Sequence, residues 1–67
     1  MATDPDELLT PDDVSRLLQV PKSTIYGWRL RGEGPEGFRV GRHLRYRRGD
    51  MNAWVEKRKI EERKKAS

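Results

Sequence analysis

The chain has 67 residues, of which 15 are Lys or Arg and 11 are Asp or Glu, leaving a formal charge of +4. A chain of that length forms one small domain and buries only about 60% of the surface its unfolded form exposes, too little core to shape a deep catalytic cleft, so an enzyme is not expected. Cysteine is absent, which excludes disulfide staples, thiolate zinc ligands and a thiol nucleophile.

The first residues carry Asp4, Asp6 and Glu7 where an export signal would be basic and then apolar, so residues 1–7 are expected to be a flexible acidic segment with no address. The longest apolar run is the three residues Ala53-Trp54-Val55, far from the roughly 20 that span a bilayer. A cytoplasmic protein without membrane contact is the expectation.

Leu9-Thr10-Pro11-Asp12-Asp13-Val14 stacks helix-start devices: Thr10 as N-cap, Pro11 at the first helical position, Asp13 completing a capping box, and Leu9 stapling onto Val14. A first helix therefore starts at Pro11, buries Val14, Leu17 and Leu18, and ends before Pro21. After the break Gln19-Val20-Pro21, residues 22–31 read as a second helix closed by Gly32. Two short helices with a tight connection suggest helix-turn-helix. With Ile25 and Trp28 inward, the opposite face holds Ser23, Tyr26, Gly27 and Leu30, flanked by Lys22 and Arg29. A helical Gly and an exposed Leu both cost stability, which makes sense if another surface lies against this face.

Gly34-Pro35-Glu36-Gly37 is dense turn chemistry. Beyond it, Phe38-Arg39-Val40 and Leu44-Arg45-Tyr46 alternate apolar and basic, the pattern of a β-hairpin. A three-residue loop Gly41-Arg42-His43 would place Val40 opposite Leu44, Phe38 opposite Tyr46 and Arg39 opposite Arg45, giving one apolar and one cationic face. Opposed like charges destabilise a strand pair, so that arginine pair suggests a phosphate or an acidic group between them. The hairpin has the form of a wing. A third helix begins near Arg48-Gly49-Asp50, turns Met51, Trp54 and Val55 inward, and continues as a charged helical extension over 59–67.

Charge is segregated along the chain: residues 1–20 carry −4, residues 21–49 carry +6 and the remainder +2. Seven of the eight bases in the middle block are Arg, the side chain suited to bidentate phosphate and guanine contacts, and the arrangement is one that steers a polyanion. Other chemistry finds little footing. His43 has no acid or nucleophile beside it, no His or Cys pair offers a metal site, and the glycine-rich run from Gly32 lacks the Lys-Ser/Thr of a phosphate-binding loop. No metal or cofactor is expected. Trp28 and Trp54 could stack on unpaired bases, but each falls on an inward stripe and is expected in the core.

Taken together, Leu8-Leu9-Thr10-Pro11, Val20-Pro21-Lys22-Ser23-Thr24-Ile25-Tyr26, Val40-Gly41-Arg42-His43-Leu44-Arg45-Tyr46 and Asp50 with Trp54 resemble the excisionase-type, MerR-like winged helix-turn-helix DNA-binding domains of bacteria and their phages. The resemblance covers residues 8–58. It implies an α+β, mostly α fold: three helices with a β-hairpin wing between the second and third. It also implies the docking, with the second helix in the major groove through Lys22, Ser23, Thr24, Tyr26 and Arg29, and the wing on the backbone or minor groove through Arg39, Arg42, His43 and Arg45. Larger MerR-type regulators continue into a coiled coil and an effector domain, whereas this sequence stops at Ser67. The resemblance therefore implies a non-catalytic excisionase that binds repeated sites on double-stranded DNA, bends it and directs a phage integrase toward excision. A small stand-alone transcription regulator is the alternative, and a basic adaptor for an acidic protein is a further one. The separation of an acidic start from a basic body suggests head-to-tail self-association on DNA, with Asp4, Asp6 and Glu7 of one protomer near Lys57 or Lys59 of the next.

Overall fold

Residues 4–66 are described by the computed structural model. The chain runs β1 (Leu8–Leu9), α1 (Pro11–Leu18), α2 (Lys22–Arg31), β2 (Gly37–Val40), β3 (His43–Arg47) and α3 (Arg48–Ala66). Three helices and a hairpin between the second and third make a winged helix-turn-helix, as expected.

Local chemistry explains the helix ends. Thr10 is extended (φ −82°, ψ 164°); its Oγ1 accepts the Asp13 N–H at 3.0 Å, and the Asp13 carboxylate accepts the Thr10 N–H at 3.0 Å. This reciprocal box satisfies two donors that the first turn leaves open. The Thr10 N–H, followed by the Thr10 hydroxyl and Arg16, holds the Asp13 carboxyl below its ordinary pKa. Replacing Thr10 with Ala should lower the unfolding free energy by about 1 kcal/mol, measured by urea denaturation.

Gln19 ends α1 in the left-handed conformation at φ 57°, which turns the chain so that Val20 N–H reaches the Ser15 carbonyl at 3.1 Å. The corner into α2 thus has its own bonds and does not rest on Pro21 alone. Gly32, at φ 71°, ends α2: Gly32 N–H donates to Arg29 O at 3.4 Å and Glu33 N–H to Trp28 O at 2.7 Å, the paired bonds of a Schellman closure.

The hairpin differs from expectation by one residue. Its loop is the two residues Gly41-Arg42, and the partners are Val40 with His43, Arg39 with Leu44, Phe38 with Arg45 and Gly37 with Tyr46. Arg39 and Arg45 are therefore not opposed, and the phosphate-bridge argument built on that pairing falls. A slip of one residue exchanges the faces of a strand. Phe38 and Val40 accordingly stay 38% and 50% exposed, while Leu44 and Tyr46 are buried. Two features select this register. Gly41 takes φ 64°, which suits the first position of a two-residue turn matched to strand twist. Gly37 lies under the Tyr46 ring, where a Cβ would fall 2.8 Å from Cε1, so only glycine fits the inward slot there.

β3 is the middle strand of an antiparallel sheet ordered β1-β3-β2, with Leu8 opposite Arg47 and Leu9 opposite Tyr46. The two-residue β1 was not expected from the sequence. Of the acidic N-terminal segment, residues 1–3 lie outside the described residues. Within 4–7, the Glu7 and Pro5 carbonyls accept the Arg48 and Gly49 N–H groups, both at 2.9 Å. Asp6 pairs with Arg47, and Glu7 pairs with Arg48 at 3.0 Å.

Leu9, Val14, Ile25, Leu44, Tyr46 and Met51 form the buried cluster, drawing on β1, β3 and every helix, with Leu18, Val20 and Trp28 packed partly against it. Trp28 and Trp54 meet with ring centroids 5.1 Å apart at 49°. The expectation that both tryptophans are core needs correction, because each is only partly buried and Trp54 lies outside the cluster. Helical spacing gives the side on which Trp54 lies, but past Met51 that side of α3 meets Trp28 and opens onto two hollows. No helix among the described residues is long and apolar enough to cross a membrane.

Candidate nucleic-acid interface

The fold divides the middle block's bases into two sets. Lys22 pairs with Asp12 at 3.0 Å, Arg31 with Glu33 at 3.1 Å, Arg47 with Asp6, and Arg48 with Glu7. Arg29, Arg39, Arg42 and Arg45 have no ion-pair partner among the described residues. These four line one open cavity of about 330 Å³ between α2 and the hairpin. Carboxylates neutralise the rest of the block and leave this cavity cationic.

Backbone carbonyls orient three of the guanidinium groups. Arg29 Nη1 donates to Gly37 O at 3.2 Å, Arg45 Nη1 to Leu44 O at 2.7 Å, and Arg39 Nη1 to Arg42 O at 3.5 Å. A guanidinium has five N–H donors, so each keeps most of them for a ligand. The Arg29 bond also ties α2 to the first residue of β2, which sets the spacing between helix and wing. Tyr46 is buried, and that burial pushes its hydroxyl pKa up, partly opposed by the nearby Arg29 charge.

Tyr26, Arg29, Arg39, Arg42, His43 and Arg45, all expected in the site, line this cavity together. Lys22, Ser23 and Thr24 do not line it; they form the first turn of α2. The Lys22 ammonium is turned toward α1, and the Asp12 carboxylate raises its pKa. Both partners of that pair are well exposed, so a phosphate can replace the carboxylate at little cost. Leu30 joins the lining although it was not placed among the site residues. Its signal in the sequence was an apolar residue on the polar face of α2.

Larger hollows lie beside Trp28 and Trp54, about 490 and 540 Å³. Their chemistry is different. Arg58 there pairs with Glu61 and Glu62, and Lys59 with Glu56, so much of the rim charge is already compensated.

A helix-turn-helix whose second helix and adjacent hairpin enclose uncompensated arginines defines the class: a winged helix-turn-helix DNA-binding protein. Residues 8–59 match the family model of the helix-turn-helix domain, and the chain belongs to that family. The match spans β1 through the first half of α3 and so contains the whole cavity. No curated protein and no solved structure matches the chain.

Proposed function

We propose that the protein is a non-catalytic, sequence-specific reader of double-stranded DNA that docks α2 in the major groove and lays the hairpin along the adjacent backbone or minor groove. The observation that carries this reading is the collection of the four unpaired arginines in the one cleft between α2 and the wing. Arginine forks suit both guanine edges and phosphates, and a helix fits the major groove. In this docking Lys22, Ser23 and Thr24 approach the backbone at the start of α2. Tyr26 and Arg29 face base edges, and Arg39, Arg42, His43 and Arg45 hold phosphates.

The two elements have different tasks, and a binding selection from randomised duplexes separates them. Arg29→Ala should relax preference at one position of the selected site, by about 1–3 kcal/mol of discrimination. Arg45→Ala should weaken all duplexes alike and reduce the salt slope by about 0.9. Selection of no sequence by the parent protein, or a changed site with Arg45→Ala alone, would overturn these roles.

Within this class the resemblance of the helix and wing motifs supports an excisionase that bends DNA at direct repeats and assists an integrase. A stand-alone regulator uses the same groove contacts. Stimulation of integrase-driven excision in a purified recombination reaction distinguishes the two, because a regulator leaves its rate unchanged. Head-to-tail association through Asp4, Asp6 and Glu7 has an internal competitor. Asp6 and Glu7 are engaged by Arg47 and Arg48 of their own chain, and Lys59 by Glu56. Neighbouring protomers therefore associate only when DNA aligns them.

A further inference from the structure

Leu30 is 88% exposed, whereas the other exposed large hydrophobic residues among those described do not exceed 50%. It sits on the outer face of α2, one turn beyond the half-exposed Tyr26, and among the described residues little covers it. Both residues line the cavity that holds Arg29, Arg39 and Arg42. An apolar side chain set among uncompensated cations fits a ligand that is anionic overall and yet offers an apolar group at the matching place.

Duplex DNA has such a group. The C5 methyl of thymine is the apolar feature of the major-groove base edges, and aliphatic side chains contact it. We infer that Leu30, assisted by the Tyr26 ring, is a specificity-determining residue that selects a thymine methyl in the major groove. This rests on the docking of α2 proposed above and adds the base feature that the helix selects. Residues four apart on a helix are separated by about 6 Å along the axis. Base pairs rise about 3.4 Å each. Tyr26 and Leu30 together therefore span fewer than two base steps, so the preference should concern one or two adjacent positions. The flanking arginines supply the phosphate contacts that hold the leucine against the base edge.

The test uses the full chain and the duplex obtained by selection from random sequence. Each thymine of the site is replaced in turn by uracil, which removes only the methyl group, and dissociation constants are measured for the parent and for Leu30→Ala. The parent should lose about fourfold in affinity at one or two adjacent positions, the value of one buried methyl group. Leu30→Ala should bind the thymine and uracil duplexes equally and melt at the parent temperature, since the side chain has no partner in the fold. If uracil has no effect at any position, or the same effect on both proteins, Leu30 does not read a methyl, although specific DNA binding stands. A variant that keeps the thymine preference but loses cooperative filling of adjacent sites would place Leu30 in a protein contact and overturn the inference. Selection of no duplex at all overturns the docking and the inference together.

Discussion

Raising the salt from 50 to 200 mM should weaken binding to a specific duplex by roughly 40-fold. The figure follows from one phosphate neutralised by each of Arg39, Arg42 and Arg45, a slope of about −2.7 in log K against log salt. These three are the bases of the cleft that face phosphates in the proposed docking and have no carboxylate partner among the described residues. Lys22, Arg31, Arg47 and Arg48 already have counter-charges in the free protein and release fewer ions on binding. Two variants make the expectation specific. Replacing Arg39, Arg42 and Arg45 with Ala together should reduce the slope by about 2.7. Arg58→Ala changes net charge by the same amount per residue but should leave the slope nearly unchanged, because Arg58 is held between Glu61 and Glu62. Fluorescence anisotropy over a salt series measures all three. Equal effects of Arg58 and the wing arginines would mean that overall charge, and not the cleft, attracts DNA.

Tyr46→Ala should cost about 3–5 kcal/mol, the range for a buried aromatic truncated to Ala. A domain of this size has about 3–10 kcal/mol in total, so the substitution removes from about a third to all of the stability. Tyr46 is 2% exposed and leads the fully buried side chains in volume. It also lies on the central strand, paired with Leu9 on one side and Gly37 on the other. Its loss removes packing from both edges of the sheet and the reason for a glycine at position 37. Trp54→Ala provides the contrast. The Trp54 ring packs at a tilt against Trp28 outside the buried cluster, so its removal should cost about 1–2 kcal/mol and leave a folded domain. Urea denaturation followed by circular dichroism ranks the two. A Trp54 variant as damaged as the Tyr46 variant would mean that the tryptophan pair is the true centre of the core.

What could be read before the structure, and what could not, follows the range of each interaction. Helix starts and stops depend on side chains within a few residues of the backbone they cap, so Thr10 with Asp13 and Gly32 at the end of α2 were legible. The hairpin register depends on the fit of Tyr46 over Gly37, nine residues away along the chain. Alternation in Phe38-Arg39-Val40 pointed to the wrong face because the inward slot against Tyr46 is filled by Gly37. β1 has two residues, too few for any periodicity. In the candidate site the cationic block was plain in the sequence. Its division into compensated and uncompensated halves was not, since the pairs Asp6 with Arg47 and Glu7 with Arg48 join positions 41 residues apart. That division narrows a basic segment to a cleft. Leu30 was visible as an anomaly on a polar face, but its place beside the wing arginines required the fold.

Whether DNA is held in the cleft between α2 and the wing is decided by amide chemical-shift mapping during titration with a specific duplex. The large perturbations should fall on residues 22–31 and 39–45 and on the side-chain Nε–Hε signals of Arg29, Arg39, Arg42 and Arg45, with Val55 to Lys65 of α3 little changed. Perturbations concentrated around Trp28, Trp54 and Arg58, with the wing arginines silent, would contradict that placement.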